Sequence, residues 1–232
     1  MRFARLVLGA ALTGGILSTA ALPAAAQAVP VPVSVSAAPA PVSAQQAGLP
    51  VPPGQAAVAI KGQAQRTGYY CAPASGAVVL GAFGIARTQD QLAKEMKTDA
   101  KAGATKRKNT LAVLNAYVAP KGYAFRLTYA KDNPAALMLS VAQAVGVHKR
   151  PTIVAVLGNK LPWSKGKRKV GHAIVAYGYD RSKGTITVWD PNGRRGATGR
   201  HVIPAKALAA VVHDLPAEGL GGVYDLSKTP AP

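Results

Sequence analysis

The chain has 232 residues, 28 Lys and Arg against 9 Asp and Glu, a formal net charge of +19, and a single Cys. One Cys excludes an internal disulfide, so the fold must rest on its apolar core. The charge makes a surface that attracts polyanions. Aromatic residues are scarce among the basic runs and nothing resembles a base-reading module, so specific nucleic-acid binding is not expected.

The first element is a leader. "MRFARLVLGAALTGGILSTAALPAAAQA" (1–28) has Arg2 and Arg5, an apolar run from about Leu6 to Leu17, and small residues up to Ala26-Gln27-Ala28. That three-part pattern reads as a secretory signal peptide. The run is broken by Gly14 and Gly15 and is shorter than the ~20 apolar residues of a spanning helix. No later segment is long and apolar enough to span a bilayer, so no transmembrane anchor is expected. The expected location is outside a bacterial cell, free or cell-wall associated. Residues 29–56 are rich in Pro, Ala, Val and Ser and carry no charge, which reads as a semi-rigid, disordered linker. Residues 57–226 then form one domain of ordinary size, with 227–232 as a C-terminal tail.

Within the domain, "YYCAPASGAVVLGAFG" suits a buried helix with Pro73 in its first turn. "RTQDQLAKEMKTD" predicts a second helix capped by Thr88, with Leu92 and Met96 one turn apart. "NTLAVLNAYVAPKG" places Leu111, Leu114 and Val118 on one face and stops at Pro120 and Gly122. "YAFRLTY" (123–129) reads as a strand and "DNPAALMLSVAQAVG" as a helix. "PTIVAVLG" (151–158) is a buried strand by its β-branched content. "VGHAIVAYGYD" (170–180) and "GTITVWDPNG" (184–193) read as a hairpin turning at "RSKG". A strand at 200–204, the helix "PAKALAAVVHD" and a last strand "GGVYDL" complete the domain. Helices followed by an antiparallel sheet predict an α+β fold.

The lone Cys71 stands just before the first predicted helix, between Tyr70 and Ala72-Pro73. A helix N-terminus stabilises a thiolate through its dipole and free N–H groups, so this position favours a nucleophile over an inert core thiol. Such a nucleophile needs a base. Of the four His, His148 and His213 follow helical segments beside charges and read as solvated groups, and His201 begins a short strand after a basic loop. His172 instead opens an apolar strand directly after Gly171. Its orienting partner would be Asp190, which ends the next strand; a turn-forming Asp in the corner Asp-Pro-Asn-Gly is an equal reading. Gln65, six residues before Cys71, can offer an amide to the same oxyanion as the Cys71 N–H, with Gln63 as the rival donor.

Together "QRTGYYCAPAS", "GHAIVAYGYD" and "TVWDPNG" resemble the papain-like cysteine peptidases of the double-glycine leader-peptidase (bacteriocin-processing peptidase-like) family, in their secreted, stand-alone form. The resemblance implies a papain-like α+β fold with N-terminal helices packed on an antiparallel sheet. It assigns Cys71 as nucleophile, His172 as base, Asp190 as its orienter and Gln65 as oxyanion donor, with no metal or cofactor. It implies a peptide or protein substrate. The sequence departs from the family at Ala72, commonly Gly, and at Tyr70, often Asp; both bear on specificity. No transporter segment accompanies the domain, so cleavage after paired glycines is not carried over.

Two other functions fit the same residues. One is a peptidoglycan amidase, against which the Asp-Pro pair argues, since those relatives usually orient the base with a second His. The other is a catalytically silent domain whose basic surface binds an anionic cell-wall polymer. The run Lys160–Lys169, just ahead of His172, is expected to flank the cleft. It reads as a solvated face in preference to a selector of acidic substrates.

Overall fold

The computed structural model describes residues 50–167, 169–193 and 197–229. The expected signal peptide and the linker before Pro50 lie outside the described residues.

The helices form where the caps and periodicity place them. They are α1 (Cys71–Ala82), α2 (Gln89–Glu95), α3 (Arg107–Val118), α4 (Pro134–Ala142) and α5 (Ala205–Val211). Residues Ala72 to Leu80 of α1 are all buried, as expected of a helix apolar on every side. Thr88 caps α2 reciprocally: its Oγ1 accepts from Gln91 N–H (3.2 Å) and Gln91 Oε1 accepts from Thr88 N–H (2.9 Å). Asn133 caps α4 by accepting from Ala136 N–H at 3.0 Å, with Pro134 at the first helical position. Gly76 lets α1 and α2 approach closely, since a Cβ there would lie 2.9 Å from Met96 Cε.

The strands are β1 (Gln55–Ala57), β2 (Tyr123–Thr128), β3 (Thr152–Leu157), β4 (Gly171–Asp180), β5 (Thr185–Asp190), β6 (Gly199–Pro204) and β7 (Val223–Lys228). They make one antiparallel sheet in the order β2–β7–β3–β4–β5–β6, with β1 paired to the far end of β4. Alternate residues of the central strands serve two cores. Ala173 and Val175 pack with Val78, Leu80, Leu92 and Leu114 of α1–α3. Ile174 and Ala176 pack with Leu137, Val141 and Leu208 of α4 and α5. The sheet is thus covered on both faces, which is why β3 and β4 read as continuous apolar runs. The α+β expectation of helices packed on an antiparallel sheet holds, and a second helical layer is added.

Two expected boundaries are corrected. The linker is expected to run through residue 56, but Pro52 is buried, Pro53 O accepts from Tyr179 Oη at 2.7 Å, and Gln55–Ala57 pair with Gly178–Asp180. The tail is expected to start at 227, but β7 runs to Lys228 and pairs with Tyr123. In both cases ladder hydrogen bonds recruit residues whose own composition carries no strand signal.

Candidate active site

Cys71 is the first residue of α1, one position further into the helix than expected, and it is half-buried. The N-cap residue, Tyr70, makes no side-chain cap, so the leading N–H groups of the helix are left for other partners. The thiol faces His172 and the backbone N–H groups of Ala173 and Ala72, each of which favours the thiolate. Burial alone would push its pKa up. The His172 hydrogen bond and charge, with the two backbone groups, outweigh burial and hold the thiol below its ordinary value.

His172 is the second residue of β4. Its Nε2 lies 2.7 Å from Asp190 Oδ1, which leaves Nδ1 to face the sulfur. Burial disfavours the imidazolium, but hydrogen bonds to Asp190 and Cys71 and the charges of both prevail and raise the pKa to about 10. Asp190 is 1% exposed and accepts three N–H bonds. His172 Nε2 (2.7 Å) and Asn192 N (2.8 Å) donate to Oδ1, and Trp163 Nε1 (2.8 Å) donates to Oδ2. Burial raises its pKa, and these donors with the His172 charge more than reverse that, so the carboxyl stays below its usual range.

One extra residue decides that His172 and Asp190 share a face. β4 and β5 pair Gly178 with Thr187 but Ala176 with Val188, so Tyr177 bulges out of the ladder. Val175 then faces Trp189, and the register continued puts Asp190 opposite Ile174, two residues from His172. Without the bulge the count shifts by one and the two side chains point to opposite faces.

A second device sets the helix against the strand. Ser75 is one turn beyond Cys71 on the same face of α1, and its Oγ donates to Ala173 O at 3.0 Å in a buried bond. Cys71 is thereby held level with His172.

Gln65 and Gln63 part company. Gln65 lines the same cleft as Cys71 and His172, its backbone N–H donates to Pro191 O (2.7 Å), and its Nε2 donates to Thr67 O (2.6 Å). Its Oε1 is buried without a hydrogen-bond partner among the described residues. Gln63 turns away: its Oε1 accepts from Gln89 Nε2 (2.7 Å) and its carbonyl accepts from Trp189 Nε1 (3.1 Å). Buried Gln89 also donates to Ala64 O (2.8 Å) and accepts from Arg66 N–H (2.9 Å), gripping the backbone on both sides of Gln65.

The other His stand apart from the thiol, though not as solvated groups. His148 is half-buried with its ring edge-on to Tyr123 (5.8 Å), and burial lowers its pKa. His213, also half-buried, packs beside Gly171. His201 stacks face to face on Trp163, centroids 3.9 Å apart and planes 5° from parallel. Sequence reasoning missed Trp163, Ser75 and Gln89. An apolar Trp within the basic run "NKLPWSKGKRK" was the one usable signal for the first.

The cleft around these groups holds about 430 Å³. Gly68, Gly103, Gly158, Gly166 and Gly171 contribute backbone to its walls, beside the side chains of Tyr69, Trp163, Lys165 and Lys167. At Gly158 a Cβ would stand 2.9 Å from His172 Cβ, so the wall closes on the imidazole only because no side chain intervenes. A half-buried thiol at a helix mouth, sharing its cleft with an imidazole that is itself ion-paired to a sealed carboxylate, is an arrangement suited to nucleophilic thiol chemistry.

The chain belongs to the Peptidase_C39 like family, which matches residues 57–214. Membership in this cysteine peptidase family agrees with the papain-like α+β architecture expected from the motifs. Three solved structures are similar in fold. The peptidase domain of Streptococcus ComA, a bi-functional ABC transporter involved in a quorum sensing pathway, is 19% identical over 73% of this chain and 97% of that one, with a TM-score of 0.45. A double glycine motif protease from an AMS/PCAT transporter, in complex with the leader peptide, is 16% identical over 76% and 95%, with a TM-score of 0.49. A C39-like peptidase from Bacillus anthracis is 13% identical over 76% and 98%, with a TM-score of 0.49. No curated protein matches the chain significantly. No helix among the described residues is long and apolar enough to cross a membrane.

Proposed function

We propose that the protein is a secreted cysteine peptidase that hydrolyses peptide bonds with Cys71, His172, Asp190 and Gln65. The observation that carries this reading is the His172–Asp190 pair, 2.7 Å apart, sharing one cleft with the Cys71 thiol at the N-terminal end of α1. The thiolate attacks the scissile carbonyl carbon, and the carbonyl electrons move onto oxygen. The Cys71 N–H and the amide hydrogen of Gln65 not given to Thr67 stabilise that oxyanion. His172 gives its proton to the leaving amine as the C–N bond breaks, leaving a thioester. Water then attacks the thioester, His172 takes its proton, and the thiolate departs. Asp190 holds the imidazole with Nδ1 toward sulfur throughout. Export by residues 1–28 would deliver the enzyme to the cell exterior as a stand-alone protein.

The test is turnover of a broad peptide library by the wild type, by the iodoacetamide-treated protein and by Cys71→Ser. Hydrolysis is expected in the first sample alone. Equal release in all three samples refutes the reading, as does hydrolysis confined to purified peptidoglycan. The N-terminus of the protein recovered from culture medium tests export, with residue 29 the expected first residue.

A further inference from the structure

We propose that this cleft selects peptides with Asp or Glu next to the scissile bond, through Lys165 and Lys167. The inference rests on the peptidase reading above and names its substrate class. Lys165 and Lys167 line the cleft with Cys71 and His172, and among the described lining residues there is no Asp or Glu. The carboxylate nearest the chemistry, Asp190, is sealed beneath the floor, saturated by three donors and matched by the His172 charge. The N-terminal end of α1 adds further positive potential at the thiol.

Among the described residues neither lysine is ion-paired. Among the described residues the ion pairs involve Arg66, Arg126, Lys131, Lys183 and His172 only. Both lysines are exposed. They follow two and four residues after Trp163, whose indole is bonded to Asp190 and stacked on His201. Charges of one sign on a cleft wall focus the field into the cleft. The residues that looked like a solvated face therefore form part of the cleft wall. The same cleft holds Cys71 and His172, so an anion recognised there is presented to amide-cleaving groups, which favours a peptide as the ligand.

The experiment uses matched fluorogenic peptides bearing Glu, Gln or Lys at each position flanking the cleaved bond. It compares the wild type, K165Q/K167Q, and K94Q/K121Q, a control losing two charges that do not line the cleft. The wild type is expected to favour Glu over Gln by about three- to tenfold in kcat/KM at low salt. The preference should fade near 1 M NaCl, where screening acts within about 3 Å. K165Q/K167Q should bring the ratio below about twofold, as expected for the loss of two exposed charges, and K94Q/K121Q should keep it. Binding of the same peptides to Cys71→Ala, read by anisotropy, reports the preference without turnover. Preference in binding without any hydrolysis sinks the peptidase reading and leaves the selectivity standing. Hydrolysis with no charge preference, or a preference that survives K165Q/K167Q, overturns the inference alone. Salt-sensitive binding of dextran sulfate without preference among the peptides also overturns it, by assigning the lysines to a non-peptide polyanion.

Discussion

Replacing Asp190 with Asn preserves the shape of the side chain and removes one acceptor and one charge. Three N–H groups converge on the two carboxylate oxygens. With its oxygen at the Oδ1 position, the amide still receives His172 and Asn192 but turns its NH2 on Trp163 Nε1–H. Flipped, it satisfies Trp163 and opposes the other two donors, so the first orientation is the cheaper. One buried N–H left unsatisfied costs about 1–3 kcal/mol, and the two retained bonds each lose about 1 kcal/mol with the charge. The sum, about 3–5 kcal/mol, corresponds to a fall in Tm of about 6–20 °C for a domain of this size. The chemical effect is separate. Without its counter-charge His172 loses much of what raises its pKa to about 10, and each unit of that loss is tenfold in the reactive ion pair. The expected outcome is kcat lower by about 10²–10⁴, with KM changed less than about threefold. Peptide kinetics and thermal melting by circular dichroism measure both. A kcat within tenfold of wild type, with an unchanged pH profile, would refute the reasoning and leave Asp190 as a turn residue.

Three other outcomes are expected. His172→Ala should abolish alkylation of Cys71 near neutral pH, read by intact mass, whereas His148→Ala should leave it intact; equal labelling of both variants contradicts the pairing. The pH profile of kcat/KM should rise with the thiol's ionisation, below its ordinary pH because His172 stabilises the thiolate, and fall near pH 10 as the raised imidazole loses the proton it must donate. An acid limb at the ordinary thiol value would count against an ion pair. Trp163→Phe should leave Asp190 Oδ2 without its donor, costing about 1.5–3 kcal/mol and lowering kcat more than it raises KM; unchanged Tm and kcat would make the indole bond irrelevant.

The reactive residues were legible because each has a local signature. Cys71 stands at a helix start, His172 opens an apolar strand, and Asp190 ends its hairpin partner. Two of the helices were legible for the same reason, since Thr88 caps α2 and Asn133 caps α4. Features that local pattern does not encode were missed. β7 inserts between β2 and β3 although nearly a hundred residues separate it from Thr128, and no turn residue announces such a partner. The Tyr177 bulge is marked only by Gly178 beside it, which alone does not set the register of β5 against β4. Trp163, Ser75 and Gln89 act on groups 27, 98 and 23–26 positions away, so their roles exist only once the chain is folded. β1 was hidden by prolines, which read as linker until Tyr179 and Arg181 are seen to hold Pro53 O and Gly54 O.

That first strand also fixes where the chain joins the domain. It borders β4 at Gly178–Asp180, six residues from His172, or roughly 20 Å along the strand. The described chain therefore enters the domain at the end of β4 away from His172. The same short strand is a selvedge for the sheet. Cutting the chain at residue 58 would bare the amide edge of β4 and invite a neighbouring molecule to pair there in its place.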